Sequence, residues 1–122
     1  MNFNPPKNTE RFAWTKHAAE KMRFYGLSES KVKSVITRPQ RTEEGVAVKT
    51  TAVMQCTGSK KHPTEIWVMF QTKTQNLKLT THTTRLTTKK YKIISTWRYP
   101  GVSPVREVPM PHDVMVEVLR QK

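Results

Sequence analysis

The chain has 122 residues, a net charge of +13 at pH 7 and a sequence pI ≈ 10.3. This length fits one domain with a modest core, and 35% hydrophobic with 25% charged residues argues against a disordered or membrane protein. No apolar run approaches about 18 residues and the N-terminus lacks a signal-peptide core, so we expect no membrane association.

The sequence divides into three segments. Residues 1–11 are polar and contain Pro5-Pro6, which predicts a flexible arm followed by an extended lead-in at Phe12 and Trp14. Residues 12–101 carry the regular hydrophobic patterns and form the predicted domain. Residues 102–122 are rich in proline at first and then allow one short helix, Asp113–Gln121. The tail helix has an apolar side that can dock on the domain or on a partner.

Two helices are predicted at the start of the domain. Thr15 and Gly26 have the residue types that cap the two ends of a first helix. Ser28 can cap a second helix, which Pro39 stops near Thr37. The apolar stripes of the two helices are Ala18, Met22 and Tyr25 in the first and Val32, Val35 and Ile36 in the second.

Four strands are predicted after Gly45, where the period of the hydrophobic pattern changes. Val46–Gln55 alternates as in a half-buried strand, and Ile66–Phe70 is a continuous apolar run typical of a central strand. Leu77–Leu86 and Tyr91–Arg98 are the predicted third and fourth strands. The connections are predicted as a loop at Cys56–Thr64 and turns at Thr72–Asn76 and Lys89-Lys90. The predicted fold class is α+β, with two N-terminal helices packed on a twisted, mostly antiparallel four-stranded sheet.

Charge is concentrated in the sheet half. The segment from Gly45 to Arg106 contains eleven Lys and Arg residues and only one acid, Glu65. Such an excess favours a nucleic-acid partner, with an acidic protein partner as the alternative. Aromatic residues between the bases could stack on unpaired nucleotides, although Trp67 is expected in the core and Tyr99 on the surface. The predicted RNA-binding residues are Lys49, Lys78, Arg85, Lys89, Lys90 and Lys92.

His17 is the strongest candidate for chemistry. It shares a second stripe of the first helix with Lys21, at the edge of the packed face. His82 is a weaker candidate, and the histidines and Cys56 lack metal-ligand spacing, so neither a metal nor a cofactor is expected. Cys56 is the only cysteine, which excludes an internal disulfide and predicts a cytoplasmic protein. The open alternative is that His17 is a structural histidine.

The order of elements and two short motifs resemble a known family. T-K-H-A-A-E-K-M in the first helix and I-I-S-T-W-R-Y-P-G at the last strand are similar to small bacterial domains of the RelE/ParE-type toxin superfamily. The resemblance covers about Phe12–Gly101 and implies a RelE-like fold. It matches His17 to the helix histidine of that family, and Arg98 and Tyr99 to basic and aromatic positions at the end of the sheet.

The resemblance implies a metal-independent endoribonuclease with an acidic antitoxin partner. In that hypothesis His17 moves the proton, Lys21 and Arg98 hold the phosphate, and Tyr99 stacks or carries the second proton. Two other functions stay open: an RNA-binding module without catalysis, and a protein-interaction domain with an acidic partner. Whether the ribosome takes part is not decided by the sequence.

Overall fold

In the computed structural model the described residues form three helices and one five-stranded mixed sheet. The structure describes residues 6–47, 49–78, 85–104 and 108–120, and the side chains of residues 74–78 and 85–89 lie outside that description. In chain order the elements are β1 (Phe12–Trp14), α1 (Lys16–Tyr25), α2 (Glu29–Thr37), β2 (Arg41–Glu44), β3 (Thr51–Gly58), β4 (Pro63–Lys78), β5 (Arg85–Pro100) and α3 (His112–Arg120).

The sheet has the strand order β1-β5-β4-β3-β2. β1 pairs in parallel with β5, and the other three pairs are antiparallel. The α+β class is confirmed, but the prediction of four strands is wrong. The lead-in at Phe12 and Trp14 is a strand, and Arg41–Glu44 pairs with β3 although it carries no apolar alternation. Both are short edge strands. β1 has only three residues, although Phe12 and Trp14 are buried in the core, and β2 has no hydrophobic alternation by which it could be recognised.

The predicted third strand, Leu77–Leu86, lies only at its two ends within the described residues, and those ends belong to β4 and β5. Leu77 is the next-to-last residue of β4 and Leu86 is the second residue of β5, and the two residues pair with each other. Thr72–Asn76 and Lys89-Lys90, predicted as turns, are strand residues in the same hairpin. Val46 and Ala47, predicted as strand, lie in a bend before β3.

The two N-terminal helices end where the sequence predicts. The Thr15 side chain accepts a hydrogen bond from the Ala18 N–H, and Gly26 takes the left-handed conformation at φ 65°. Ser28 caps α2 in the same way through the Lys31 N–H. In the described part of the chain, no helix has the length and apolar character needed to cross a membrane.

Helices cover both faces of the sheet. On one face, α1 and α2 bury Met22, Val32 and Val35 against Val68 and Ile93 in a first hydrophobic cluster. On the other face, the C-terminal segment and α3 form a second cluster. Its buried members are Ala52, Met54, Trp67, Met69, Ile94, Trp97, Met110, Val114 and Val118. Helices therefore lie on both faces of the sheet, and α1 also contacts α3 directly through Lys21 and Asp113.

The hairpin of β4 and β5 extends beyond the rest of the sheet. β3 pairs with β4 only as far as Phe70, and β1 pairs with β5 only at residues 91–93. In the described structure, residues 71–78 therefore pair only with residues 85–92 of β5, and residues 85–90 pair only with β4. We call this two-stranded extension the β-ribbon.

Candidate functional site

Three lysines line a concave surface at the base of the β-ribbon. Lys73, Lys90 and Lys92 surround a cleft of about 500 Å³ together with Ala13, Gln71 and Thr72. Lys73 and Lys92 are exposed, and Lys90 is half-buried. We call this surface the lysine cleft.

Strand register brings the three lysines together. Lys73 pairs with Lys90, and Gln71 pairs with Lys92. Paired residues of an antiparallel sheet project from the same face, and so do residues two apart on one strand. Tyr91, between the two lysines of β5, packs against the first cluster. The lysine cleft therefore opens on the opposite face, the one that α3 partly covers.

The electrostatics of the cleft are one-sided. No acid is among the described residues that line it, and the sequence has no Asp or Glu between Glu65 and Glu107. No described carboxylate lies within ion-pair distance of Lys73, Lys90 or Lys92. Like charges placed opposite each other on neighbouring strands destabilise a sheet. The cleft therefore favours an anionic ligand that would neutralise it.

The predicted RNA-binding residues separate into three groups. Lys90 and Lys92 lie together in the cleft. Lys49 is in the connection between β2 and β3, at the other edge of the sheet, with a φ of 58°. The side chains of Lys78, Arg85 and Lys89 fall outside what the structure describes. Lys73 was not predicted as a contact because its segment has the composition of a turn.

His17 lies at a closed junction of α1, β5 and α3. Its side chain is 3% exposed, and its Nε2 lies 2.9 Å from the Ser95 Oγ. Its Nδ1 is 3.8 Å from the Glu117 Oε2, which is too long for a hydrogen bond. Burial, and then the neighbouring Lys21 ammonium, lower the pKa of His17 below 6.5, against the opposing effect of Glu117, Glu20 and Asp113.

Ser95, His17 and Glu117 lie in the same order as the nucleophile, base and acid of a catalytic triad. A nucleophile must reach its substrate, however, and Ser95 is completely buried. The observed junction is therefore a polar contact inside the protein, and it offers no route to a substrate while α3 is in place.

Lys21 joins the same junction from α1. Its Nζ donates to the Asp113 Oδ2 at 3.0 Å, and this hydrogen bond holds the pKa of Asp113 below its ordinary value. Since Asp113 meets Lys21 and Glu117 approaches His17, α3 runs antiparallel to α1. Burial raises the pKa of Tyr25, which packs against both hydrophobic clusters.

Arg98 and Tyr99 do not join His17 at one open site. The Arg98 Nε donates to the Tyr25 carbonyl oxygen at 2.7 Å, so the guanidinium binds the C-terminal end of α1. Tyr99 is half-buried against the second cluster. Successive strand residues project from opposite faces, so Arg98 and Tyr99 face opposite sides of the sheet, and their roles in cleavage stay predictions.

A buried acid forms a second polar cluster, which sequence reasoning missed. Glu65 is completely buried and accepts hydrogen bonds from Trp67 Nε1, Ser103 N and Ser103 Oγ. Arg41 Nη1 lies 3.7 Å from the Glu65 Oε2 and donates to the Ser103 carbonyl oxygen. The cluster ties the segment after β5 to the sheet. The signal available was the position of Glu65 directly before an apolar strand.

The remaining sequence candidates are a metal site, Cys56 and His82. In the described ranges there is no group of three or more His, Cys, Asp or Glu that could hold a metal ion. Cys56 is exposed and free, and His82 lies outside the described residues.

Comparisons with known proteins match no family model, no curated protein and no solved structure. The resemblance to the RelE/ParE-type superfamily therefore stays a prediction.

Proposed function

We propose that this protein binds nucleic acid through the lysine cleft and the adjoining β-ribbon. The observation that supports this most strongly is the meeting of Lys73, Lys90 and Lys92 on one concave surface without an acid in its lining. Phosphate contacts from lysine release condensed counterions and supply most of the affinity for a nucleic-acid backbone. The net charge of +13 adds a long-range attraction for a polyanion.

This proposal concerns binding and includes no catalytic step. A general base must lie within hydrogen-bond reach of the proton that it removes, and His17 is enclosed by α1, β5 and α3. RNA cleavage through His17, with Lys21, Arg98 and Tyr99, stays a prediction that requires α3 to move. Incubation of RNA with the protein in EDTA, followed by sequencing of the RNA ends, tests it: new ends that His17→Gln no longer produces would support cleavage, and intact RNA would leave binding as the only activity.

Two triple variants test the binding proposal. Lys73→Gln/Lys90→Gln/Lys92→Gln removes three charges from the cleft. Its matched control is Lys49→Gln/Lys60→Gln/Lys61→Gln, which removes three charges from the β2–β3 and β3–β4 connections. Lys60 and Lys61 precede β4, whereas Lys73 follows Pro63 by ten residues, so these two lysines lie about 30 Å from Lys73 along the strand. Lys49 precedes Thr51, the partner of Phe70, so it is nearer along the strand, but it lies on the β2 side of the sheet, away from the β1 side that Ala13 contributes to the cleft.

Fluorescence anisotropy with labelled 16-nucleotide DNA and RNA, single-stranded and duplex, measures the affinity. The cleft variant is expected to bind at least about tenfold more weakly than the control variant, since each phosphate contact contributes a counterion term. Equal affinities of the two variants would mean that only net charge matters, and the proposed site would be wrong.

An acidic protein is the alternative partner for the same surface. Absence of binding to every nucleic acid, together with a stable complex with the product of a neighbouring gene, would favour that alternative and contradict our proposal.

A further inference from the structure

The β-ribbon has dimensions that fit the major groove of DNA. Its longer strand, residues 71–78, has eight residues beyond the last partner in β3, and it extends about 26 Å. Two paired strands lie about 4.8 Å apart, and the major groove of B-form DNA, about 12 Å wide, admits such a ribbon.

The composition of the β-ribbon suits a nucleic-acid surface. Residues 71–78 and 85–90 contain five Lys and Arg residues and no Asp or Glu. Most of the other residues are Thr, Gln and Asn, whose side chains form hydrogen bonds to phosphates and to base edges. Both strands carry basic residues, and the register pairs Lys73 with Lys90 and Lys78 with Arg85.

The absence of aromatic residues from the β-ribbon argues against a single-stranded nucleic acid as the ligand. Proteins that bind unpaired nucleotides stack the bases on aromatic side chains, and the ribbon contains no Phe, Tyr or Trp. Trp67 and Trp97 are completely buried, and Tyr91 packs on the other face of the sheet, against the first cluster.

Among the described aromatic side chains, the one most open to solvent lies too far from the cleft to stack on a bound nucleotide. Phe24 is 72% exposed, but it lies at the end of α1 that Arg98 binds. Arg98 is six residues from Lys92 along β5, which is about 20 Å. In the described structure, then, no exposed aromatic side chain accompanies the lysine cleft.

We propose that the preferred ligand is double-stranded DNA, with the β-ribbon lying in its major groove and the lysine cleft on the flanking phosphates. This inference rests on the proposed function and specifies its ligand. Duplex RNA is excluded because the major groove of an A-form helix is too narrow for side chains to enter.

Four labelled nucleic acids of matched sequence, each 16 nucleotides per strand, test the choice of ligand: duplex DNA, single-stranded DNA, single-stranded RNA and duplex RNA. Duplex DNA is expected to bind at least tenfold more tightly than the others. If single-stranded RNA binds most tightly and the cleft variant still weakens it, the inference about duplex DNA is overturned while the proposed function stands. If no ligand binds, both fail.

The part played by the ribbon is tested by Lys78→Gln/Arg85→Gln. This pair is five residues beyond Lys73 along β4, or about 17 Å, so it lies outside the cleft. Against the Lys60→Gln/Lys61→Gln control, the variant is expected to lose about tenfold in affinity for duplex DNA, with circular dichroism verifying its fold. Unchanged affinity would overturn the inference.

The groove is identified by dimethyl sulfate, which methylates guanine N7 in the major groove and adenine N3 in the minor groove. The wild-type protein is expected to protect N7 and leave N3 reactive. Protection confined to N3 would contradict the assignment to the major groove.

Discussion

His17 illustrates how packing changes the role of a titratable residue. The sequence placed it beside Lys21 at the edge of α1 and left a structural role open. The structure encloses it with Ser95 and α3, and it leaves the Nδ1 without a hydrogen-bond partner. A buried imidazole with such surroundings favours the neutral form, since charging it would cost desolvation.

The stability of the protein should therefore depend on the protonation of His17. Its pKa is lowered in the folded state, first by burial and then by Lys21, while Glu117, Glu20 and Asp113 oppose the shift. The unfolded chain binds the proton more readily, so stability is fully present above about pH 6.5 and is lost as the pH falls through the folded pKa.

Urea unfolding at pH 8, 6.5 and 5 measures this effect, with His17→Gln as the control that removes the titration. The difference in unfolding free energy between wild type and variant should shrink as the pH falls. A difference that stays constant with pH would show that His17 does not titrate between the two states.

Glu65 offers a test of the buried polar cluster. Glu65→Gln replaces a carboxylate that accepts hydrogen bonds from Trp67 and Ser103, and we expect a loss of about 2 kcal/mol, as for hydrogen bonds to charged groups. Glu44→Gln, at an exposed position of β2, should change stability by less than about 0.5 kcal/mol. Similar losses from both changes, measured by urea unfolding, would mean that the cluster contributes nothing specific.

Some residue roles follow from sequence and others do not. The capping roles of Thr15, Gly26 and Ser28 were predictable because caps depend on local backbone geometry. The contact that Arg98 makes could not be predicted, because its partner, the Tyr25 carbonyl oxygen, is 73 residues away in the chain. Only the folded sheet brings the end of α1 to that guanidinium.

At the scale of elements, α3 is part of the core. Val114 and Val118 are buried in the second cluster with Trp67 and Trp97, whose rings stack at 6.2 Å. The sequence predicted the helix but not its partner, because an apolar stripe shows that a face is buried without showing what covers it.

Two valines of α3 provide a matched comparison. Val118→Ala should destabilise the protein by about 2 kcal/mol, from lost burial and the cavity that remains. Val116, on the same helix and 37% exposed, should tolerate the change to alanine with little loss. Equal effects in thermal unfolding would show that α3 does not pack on the sheet in solution.

The β-ribbon was the largest error of the sequence prediction. Strand recognition depends on alternation between a buried and an exposed face. The polar segments Thr72–Asn76 and Lys89-Lys90 lack that alternation, so their composition predicts turns. The hairpin itself is formed by backbone hydrogen bonds between paired strands, which do not require apolar side chains.

The two positive charges that face each other in the lysine cleft give a stability test. Lys90→Gln removes the repulsion with Lys73, its strand partner, and should stabilise the protein by about 0.5 kcal/mol. Lys92→Gln is the control, because Lys92 pairs with uncharged Gln71. If urea unfolding shows no gain for Lys90→Gln over the control, the two ammonium groups do not repel each other measurably.

At the scale of the whole molecule, charge and shape act together. The excess of +13 was evident from composition, and it supports a polyanionic partner without locating the site. The location depends on strand register, which places lysines from two separate segments, Lys73 and Lys90–Lys92, around one cleft. Register over such a separation is set by the whole sheet rather than by the local sequence.

The salt dependence of duplex DNA binding tests the central claim most directly. The slope of log K against log salt concentration is measured for wild type, for Lys73→Gln/Lys90→Gln/Lys92→Gln and for Lys49→Gln/Lys60→Gln/Lys61→Gln. If the three cleft lysines contact phosphates, the cleft variant should have a slope shallower than wild type by about 2.7, with about 0.9 for each lost contact. The control variant should keep the wild-type slope. Equal slopes for wild type and the cleft variant would contradict the account, since they would show that these lysines do not touch the nucleic acid.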